Sequence, residues 1–140
     1  MSINFYKEDF SGRIADQKKR KNWIKFAVER EKFQCGDLSF IFCSDDYLLK
    51  INREYLDHDY YTDIITFNYV EGKVISGDIF ISVDRVRDNA RQFDVSFENE
   101  LNRVIIHGVL HLIGFDDKDE SLQQVMRNKE NEYLEEFSKF

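Results

Sequence analysis

Proline is absent from this chain of 140 residues. Helix ends must therefore be read from glycine, Asx and serine alone. Cysteine is nearly absent: only Cys35 and Cys43 occur, one at each end of a strand-like run. With no secretory context, such a pair reads as reduced core thiols, not as a disulfide framework. No apolar run approaches the roughly 18 residues that a membrane helix needs, which argues against a helical span. The opening MSINFYKEDF has no basic stretch followed by an apolar one, so no secretory signal is expected and the expected location is cytoplasmic. Repeats, linkers and low-complexity segments are also missing, and the length suits one domain over residues 1–140. Histidine is scarce as well, at three residues. Two of the three stand four apart in HGVLHLIGFDD, residues 107–117.

The net charge of -7 argues against a general nucleic-acid coat, because phosphate binding needs clustered lysine and arginine. The charge is uneven, however. Residues 13–32 carry eight basic against three acidic residues, a net +5. Lys18, Lys19, Arg20 and Lys21 form the densest part, and one such basic helix on an acidic protein can dock a polyanion locally. A solvated helix face is the plainer reading of the same run.

Apolar spacing predicts the order β-α-β-α-β-β-α-α-α. Strands are expected around Ile3 and Phe5, over 38–44, over 63–70 and over 77–83. Helices are expected over 13–33, 46–56, 84–93, 97–114 and 119–137. Glu71-Gly72-Lys73 should turn the third strand into the fourth as a hairpin. The expected fold is α/β (α+β): a small mixed four-stranded sheet with the late hairpin at one edge and helices packed on it. The 97–114 helix is apolar on nearly every side and belongs in the middle of the domain. Ser96 suits its N-cap and Gly114 its end.

On that helix His107 and His111 share one face, a turn apart, so both imidazoles can reach one ion at about 2.0–2.1 Å each. Gly114 permits the turn that brings a third ligand to the same ion. Asp116 and Asp117 supply the oxygens. Asp117 is the choice, since the third ligand stands ten residues after the first in H-x-x-x-H-x-x-G-x-x-[H/D] sites, the metzincin-like pattern. Asp116, Asp78 and Asp63 are candidates for a bond that orients a ligand histidine. Three ligands leave a position for water, so His107, His111 and Asp117 are also the expected catalytic set, acting through that water. Zn2+, one per chain, is the first choice on spacing; iron, nickel and manganese suit a two-histidine, one-carboxylate set too. A pair of core histidines bonded to backbone is the alternative. Gly108 stands where H-E-x-x-H peptidases carry their glutamate, and it cannot move a proton.

With glycine in that place, HGVLHLIGFDD resembles the H-G-x-L-H-x-x-G-[YF]-D-H signature of the YbeY family of metal-dependent endoribonucleases. INREYLDHDYYTDIITF (51–67) resembles that family's L-N-x-x-Y-R-x-x-D-x-P-T-D-V-L-S-F segment, and SGDIFIS (76–82) its L-G-D-I-x-I-S strand. The resemblance implies a single-strand-specific endoribonuclease that matures the 3′ end of small-subunit ribosomal RNA and serves ribosome quality control. It also implies zinc on His107 and His111, with Asp117 standing where the family has a third histidine. Leu56 replaces an arginine that could hold a phosphate through its planar fork; Arg53, one turn back, is placed to substitute. Tyr61 replaces a proline. Thr62 and Asp63 open a strand, where capping and turn chemistry is the plainer reading, and His58 reads as a surface histidine.

Two other readings compete. A metalloprotease-like hydrolase fits the ligand spacing, with Gly108 against it. A ribosome-associated binding factor with a mainly structural metal fits the departures at Asp117 and Leu56. The expected partners are ribosomal single-stranded RNA and the ribosome or its proteins, with no membrane.

Overall fold

The computed structural model describes residues 2–140; Met1, the first residue of the expected domain, lies outside the described residues. The elements follow in the expected order: β1 (Ile3–Glu8), α1 (Gln17–Arg30), β2 (Gln34–Cys43), α2 (Asp45–Leu56), β3 (Ile64–Asn68), β4 (Val74–Ser82), α3 (Val83–Gln92), α4 (Phe97–Ile113) and α5 (Glu120–Phe137). One mixed sheet has the strand order β1-β2-β4-β3. β1, β2 and β4 run parallel, and β3 returns antiparallel on β4 as the edge of a hairpin. None of the described helices is long and apolar enough to cross a membrane.

The two largest boundary shifts, at the starts of β2 and α1, each have a local reason. β2 begins at Gln34, not Leu38, because Gly36-Asp37 does not end the strand. The pair sits in a register shift between Cys35 and Leu38. A β-carbon on Gly36 would fall 2.2 Å from Ser76 Oγ, so the slip needs glycine. α1 begins at Gln17, not residue 13, because Asp16 adopts a left-handed conformation that breaks the helix upstream.

Alternation along β4 separates two apolar faces. Ile75, Ile79 and Ile81 join the main core with Ile105, Ile106 and Val109 of α4 and with Trp23, Ile24 and Val28 of α1. Phe80 faces the other way, toward Leu48 of α2 and Ile65 and Phe67 of β3. Helices therefore cover both sides of the sheet, as parallel strands require. α4 packs on the sheet, and Ser96 caps it by accepting from the Asn99 N–H at 3.0 Å. Cys35 and Cys43 are buried and free. They lie eight residues apart on one extended strand, about 26 Å, far beyond disulfide reach. Burial, aided by Asp84 and Asp45, pushes the Cys43 thiol up to about 12. Both side chains act as small core hydrophobes.

Candidate metal centre

α4 presents His107 and His111 on one face with their Nε2 atoms 3.1 Å apart. Gly114 ends the helix at φ +120°, donating to the Leu110 and His111 carbonyls, both at 3.1 Å. Phe115 donates to Leu110 at 3.0 Å, which completes a Schellman turn and seats its ring against the core. The chain then reverses, and Asp117 Oδ2 comes to 3.5 Å from the Nε2 atom of each histidine. The Gln123 amide of α5 donates to the Asp117 carbonyl at 3.1 Å and ties the turn to the next helix.

These separations fit one ion. Ligands about 2.05 Å from a tetrahedral centre lie about 3.3 Å from one another, and 3.1, 3.5 and 3.5 Å bracket that edge. Among the described residues, no other group of histidine, cysteine or carboxylate ligand atoms gathers in this way.

Glu130 of α5 organises His107 from behind. Its Oε2 lies 2.6 Å from His107 Nδ1, which donates to it, so Nε2 keeps its lone pair for the cluster. Oε1 accepts from Arg103 Nη1 at 2.8 Å, and Arg103 Nη2 donates to Asn131 at 2.8 Å. Burial works to raise the Glu130 carboxyl, but the bonds from His107 and Arg103 outweigh it and hold the group below the usual glutamate range. Burial likewise works to lower His107. The bond to Glu130 and the charges of Glu130, Asp117 and Asp63 outweigh it and raise the imidazole.

Gly108 is explained by packing. A β-carbon there would meet Ile64 Cδ1 at 2.9 Å and Ile79 Cγ2 at 3.2 Å. Any side chain there would have to push the Ile64 and Ile79 side chains aside between α4 and the sheet, and glycine supplies no general base, which disfavours the peptidase reading.

The other candidate residues scatter. Asp63, just before β3, lines the cavities beside His107 but shares no hydrogen bond with it; its Oδ2 accepts from Asn89 at 3.4 Å. Asp116 accepts from the Asp117 N–H at 2.7 Å and serves the turn, not a histidine. Asp78 alternates with Ile79 on β4, so it faces away from α4 and meets Tyr69 instead. Neither Asp116 nor Asp78 orients a ligand histidine. Arg20 is fully buried, donating to Asn102 Oδ1 at 3.0 Å and also to the Ala15 carbonyl and Glu98. It is a structural arginine, unavailable to RNA. Lys18 stays exposed, while Lys19 and Lys21 lie over the rings of Phe137 and Phe5. Arg53 is exposed and pairs with Asp59. His58 is exposed and stacks on Tyr60.

Sequence reasoning missed Glu130 and Arg127. Both lie in a highly charged stretch of α5 where no local pattern separates them from their neighbours. A cleft crosses the metal cluster. A cavity of about 500 Å³ on the β3 side includes Thr62, Thr66 and Asn68, and one of about 540 Å³ on the α5 side includes Gln123 and Arg127. His107 and Asp117 belong to both.

Fold and site together define a small α/β protein with a helix-borne, two-histidine, one-carboxylate centre in an open cleft. The family model for Endoribonuclease YbeY matches residues 3–138. The chain is 49% identical over 134 residues to Endoribonuclease YbeY of Parabacteroides distasonis, covering 96% of this chain and 94% of that one. Against Endoribonuclease YbeY of Christiangramia forsetii the figures are 51% over 133 residues, 94% and 92%. The solution structure of TM1509 from Thermotoga maritima superposes with a TM-score of 0.68 at 31% identity, covering 97% of this chain and 89% of that one. The chain belongs to the endoribonuclease YbeY family.

Proposed function

We propose that this chain, as one domain, is a metal-dependent endoribonuclease that cuts single-stranded RNA, with the 3′ end of small-subunit ribosomal RNA as its substrate. The observation that carries the reading is the His107/His111/Asp117 cluster at the junction of two cavities, in a member of this family. An open cleft between an edge strand and a helix suits an extended polymer. His107, His111 and Asp117 would hold the ion, with Zn2+ favoured by the nitrogen-containing ligand set and the separations of the three ligand atoms. When bound, it would supply Lewis-acid polarisation of a phosphoryl oxygen and acidify water. Glu130 fixes the His107 ring so that Nε2 faces the cluster. Thr62, Thr66 and Asn68 on one wall and Gln123 on the other offer hydroxyl and amide groups to sugar and phosphate oxygens. Lys18, Lys19, Lys21 and Arg53 are further candidate contacts for the RNA backbone, and the ribosome or its proteins are the proposed partners in the cytoplasm.

The test is cleavage of a structured ribosomal RNA fragment bearing a single-stranded tail. Wild type and His111→Ala are compared, each with and without chelator, and the metal content of the wild type is measured by mass spectrometry. Only metal-loaded wild type should cut the tail. Equal behaviour of the two proteins would overturn the nuclease reading and leave a binding factor with a structural metal.

A further inference from the structure

The ligand face of α4 continues beyond the metal cluster. His111, His107, Arg103 and Glu100 follow one another at helical spacing along it. From His107 to Glu100 is about 10 Å along the axis. Above this stretch lies a separate cavity of about 240 Å³, walled by Asp63, Asn89, Phe93, Arg103, Arg127 and Glu130 beside Glu100 and His107. Its size falls below the roughly 300–1,000 Å³ of sites that take drug-sized ligands, and suits one flat ring system.

Three features of the lining specify chemistry. Glu100 is 4% exposed, and its carboxylate accepts no hydrogen bond among the described residues. Every fully enclosed side-chain oxygen of those residues has a partner, so the small exposure that Glu100 keeps is at its carboxylate, toward the cavity it lines. The charges it senses are those of Arg103, Asp63, Glu130 and Arg127, the cavity's own residues. The carboxylate finds no protein donor in this confined place, and a ligand that brings N–H groups supplies one. Arg127 forms no salt bridge among the described residues, and it lines both this cavity and the α5 side of the cleft. Phe93, at the end of α3, is 57% exposed, an aromatic ring held at the rim.

A metal ion does not fit, because the carboxylates of Asp63, Glu100 and Glu130 do not converge as a ligand group. Phosphate does not fit either, because those same carboxylates repel it. A nucleobase supplies what is missing: N–H donors for Glu100, an acceptor for Arg127 and a face for Phe93.

We infer that this cavity takes one base of the single-stranded RNA and favours guanine, whose Watson–Crick edge presents two adjacent N–H donors to Glu100 and a carbonyl toward Arg127. Adenine and cytosine offer one amino group beside an acceptor, and uracil one N–H between two carbonyls, so each leaves Glu100 partly unmatched. The subsite rests on the endoribonuclease reading, since it places the base about two helical turns from the metal cluster.

The experiment separates the two ideas. Tetranucleotides UUGU, UUAU, UUCU and UUUU are titrated into the full metal-free chain and followed by amide chemical shifts. UUGU should bind about tenfold more tightly than the others, with shifts in residues 89–107. Glu100→Gln should abolish that preference, and Phe93→Ala should weaken all four ligands together. Equal affinities in wild type, or shifts elsewhere, would overturn the subsite. A guanine preference shown by free GMP but not by the tetranucleotides would make it a free-nucleotide site and overturn it too. If Glu100→Gln does not fold, the wild-type titration and Phe93→Ala still decide. Cleavage of UUGU by metal-loaded wild type is scored separately. Guanine preference without cleavage of UUGU would keep the subsite and leave the endoribonuclease reading to the ribosomal RNA test; cleavage without base preference would keep that reading and overturn the subsite.

Discussion

Glu130 Oε2 and His107 Nδ1 stand 2.6 Å apart, across the interface between α5 and α4. The bond fixes which ring nitrogen of His107 is free, and Arg103 fixes Glu130 in turn. A carboxylate behind a ligand histidine raises its basicity and locks its ring. Glu130→Ala should therefore weaken metal binding by about 10–100-fold while His107 and His111 remain in place. Competition against a chromogenic chelator measures this. Unchanged affinity would mean that Glu130 serves only to join the helices.

Gly77, in the SGDIFIS strand, has its own packing demand. A β-carbon there would lie 2.6 Å from the Phe67 carbonyl oxygen and 3.1 Å from Leu112 Cδ1. The first is backbone of the neighbouring strand and cannot rotate away. Gly77→Ala should cost about 1–3 kcal/mol in stability, read from the denaturant midpoint. A midpoint equal to wild type would show that β3 can give way.

The order of elements is legible in the sequence because each carries a clear local period, and HGVLHLIGFDD is legible because a helix and a glycine turn are short-range structures. Spacing alone favours Asp117 over Asp116. Glu130 cannot be found that way, because its partner lies 23 residues away and α5 is rich in acids. Asp78 misleads for a related reason: the face on which a strand residue falls depends on register, which β4 gains only from its neighbours. Arg20 misleads because a run of basic residues hides which one turns inward toward Asn102 on α4.

Glu100 should make the fold pH-sensitive. Burial, the dominant cause, raises its carboxyl above the usual glutamate range. A folded-state pKa above the unfolded one gives a stabilising contribution that is full below the unfolded pKa and is lost as pH rises through the folded value. Ionising this carboxyl in the fold thus costs more than ionising it in the unfolded chain. Glu100→Gln should melt a few degrees higher than wild type at pH 7, and the gap should close as pH falls below about 4. Thermal melts across that range check it; a gap that widens in acid would reverse the sign and exclude this account.

Arg20 and Lys18 lie two residues apart in one basic run but should fail differently when removed. Arg20 is buried and holds Asn102, the Ala15 carbonyl and Glu98 together, joining the start of α1 to α4. Arg20→Ala strips the buried Asn102 amide oxygen of its donor and should cost about 1–3 kcal/mol of stability. It should leave the salt dependence of RNA binding untouched. Lys18 is exposed and forms no salt bridge among the described residues. If it meets a phosphate, Lys18→Ala should leave the melting temperature alone and lower the slope of log affinity against log salt by about 0.7, the value for one contact on a single strand. Paired melts and RNA titrations at several salt concentrations distinguish the two. A slope change in Arg20→Ala at unchanged stability would place its guanidinium outside, against the buried network.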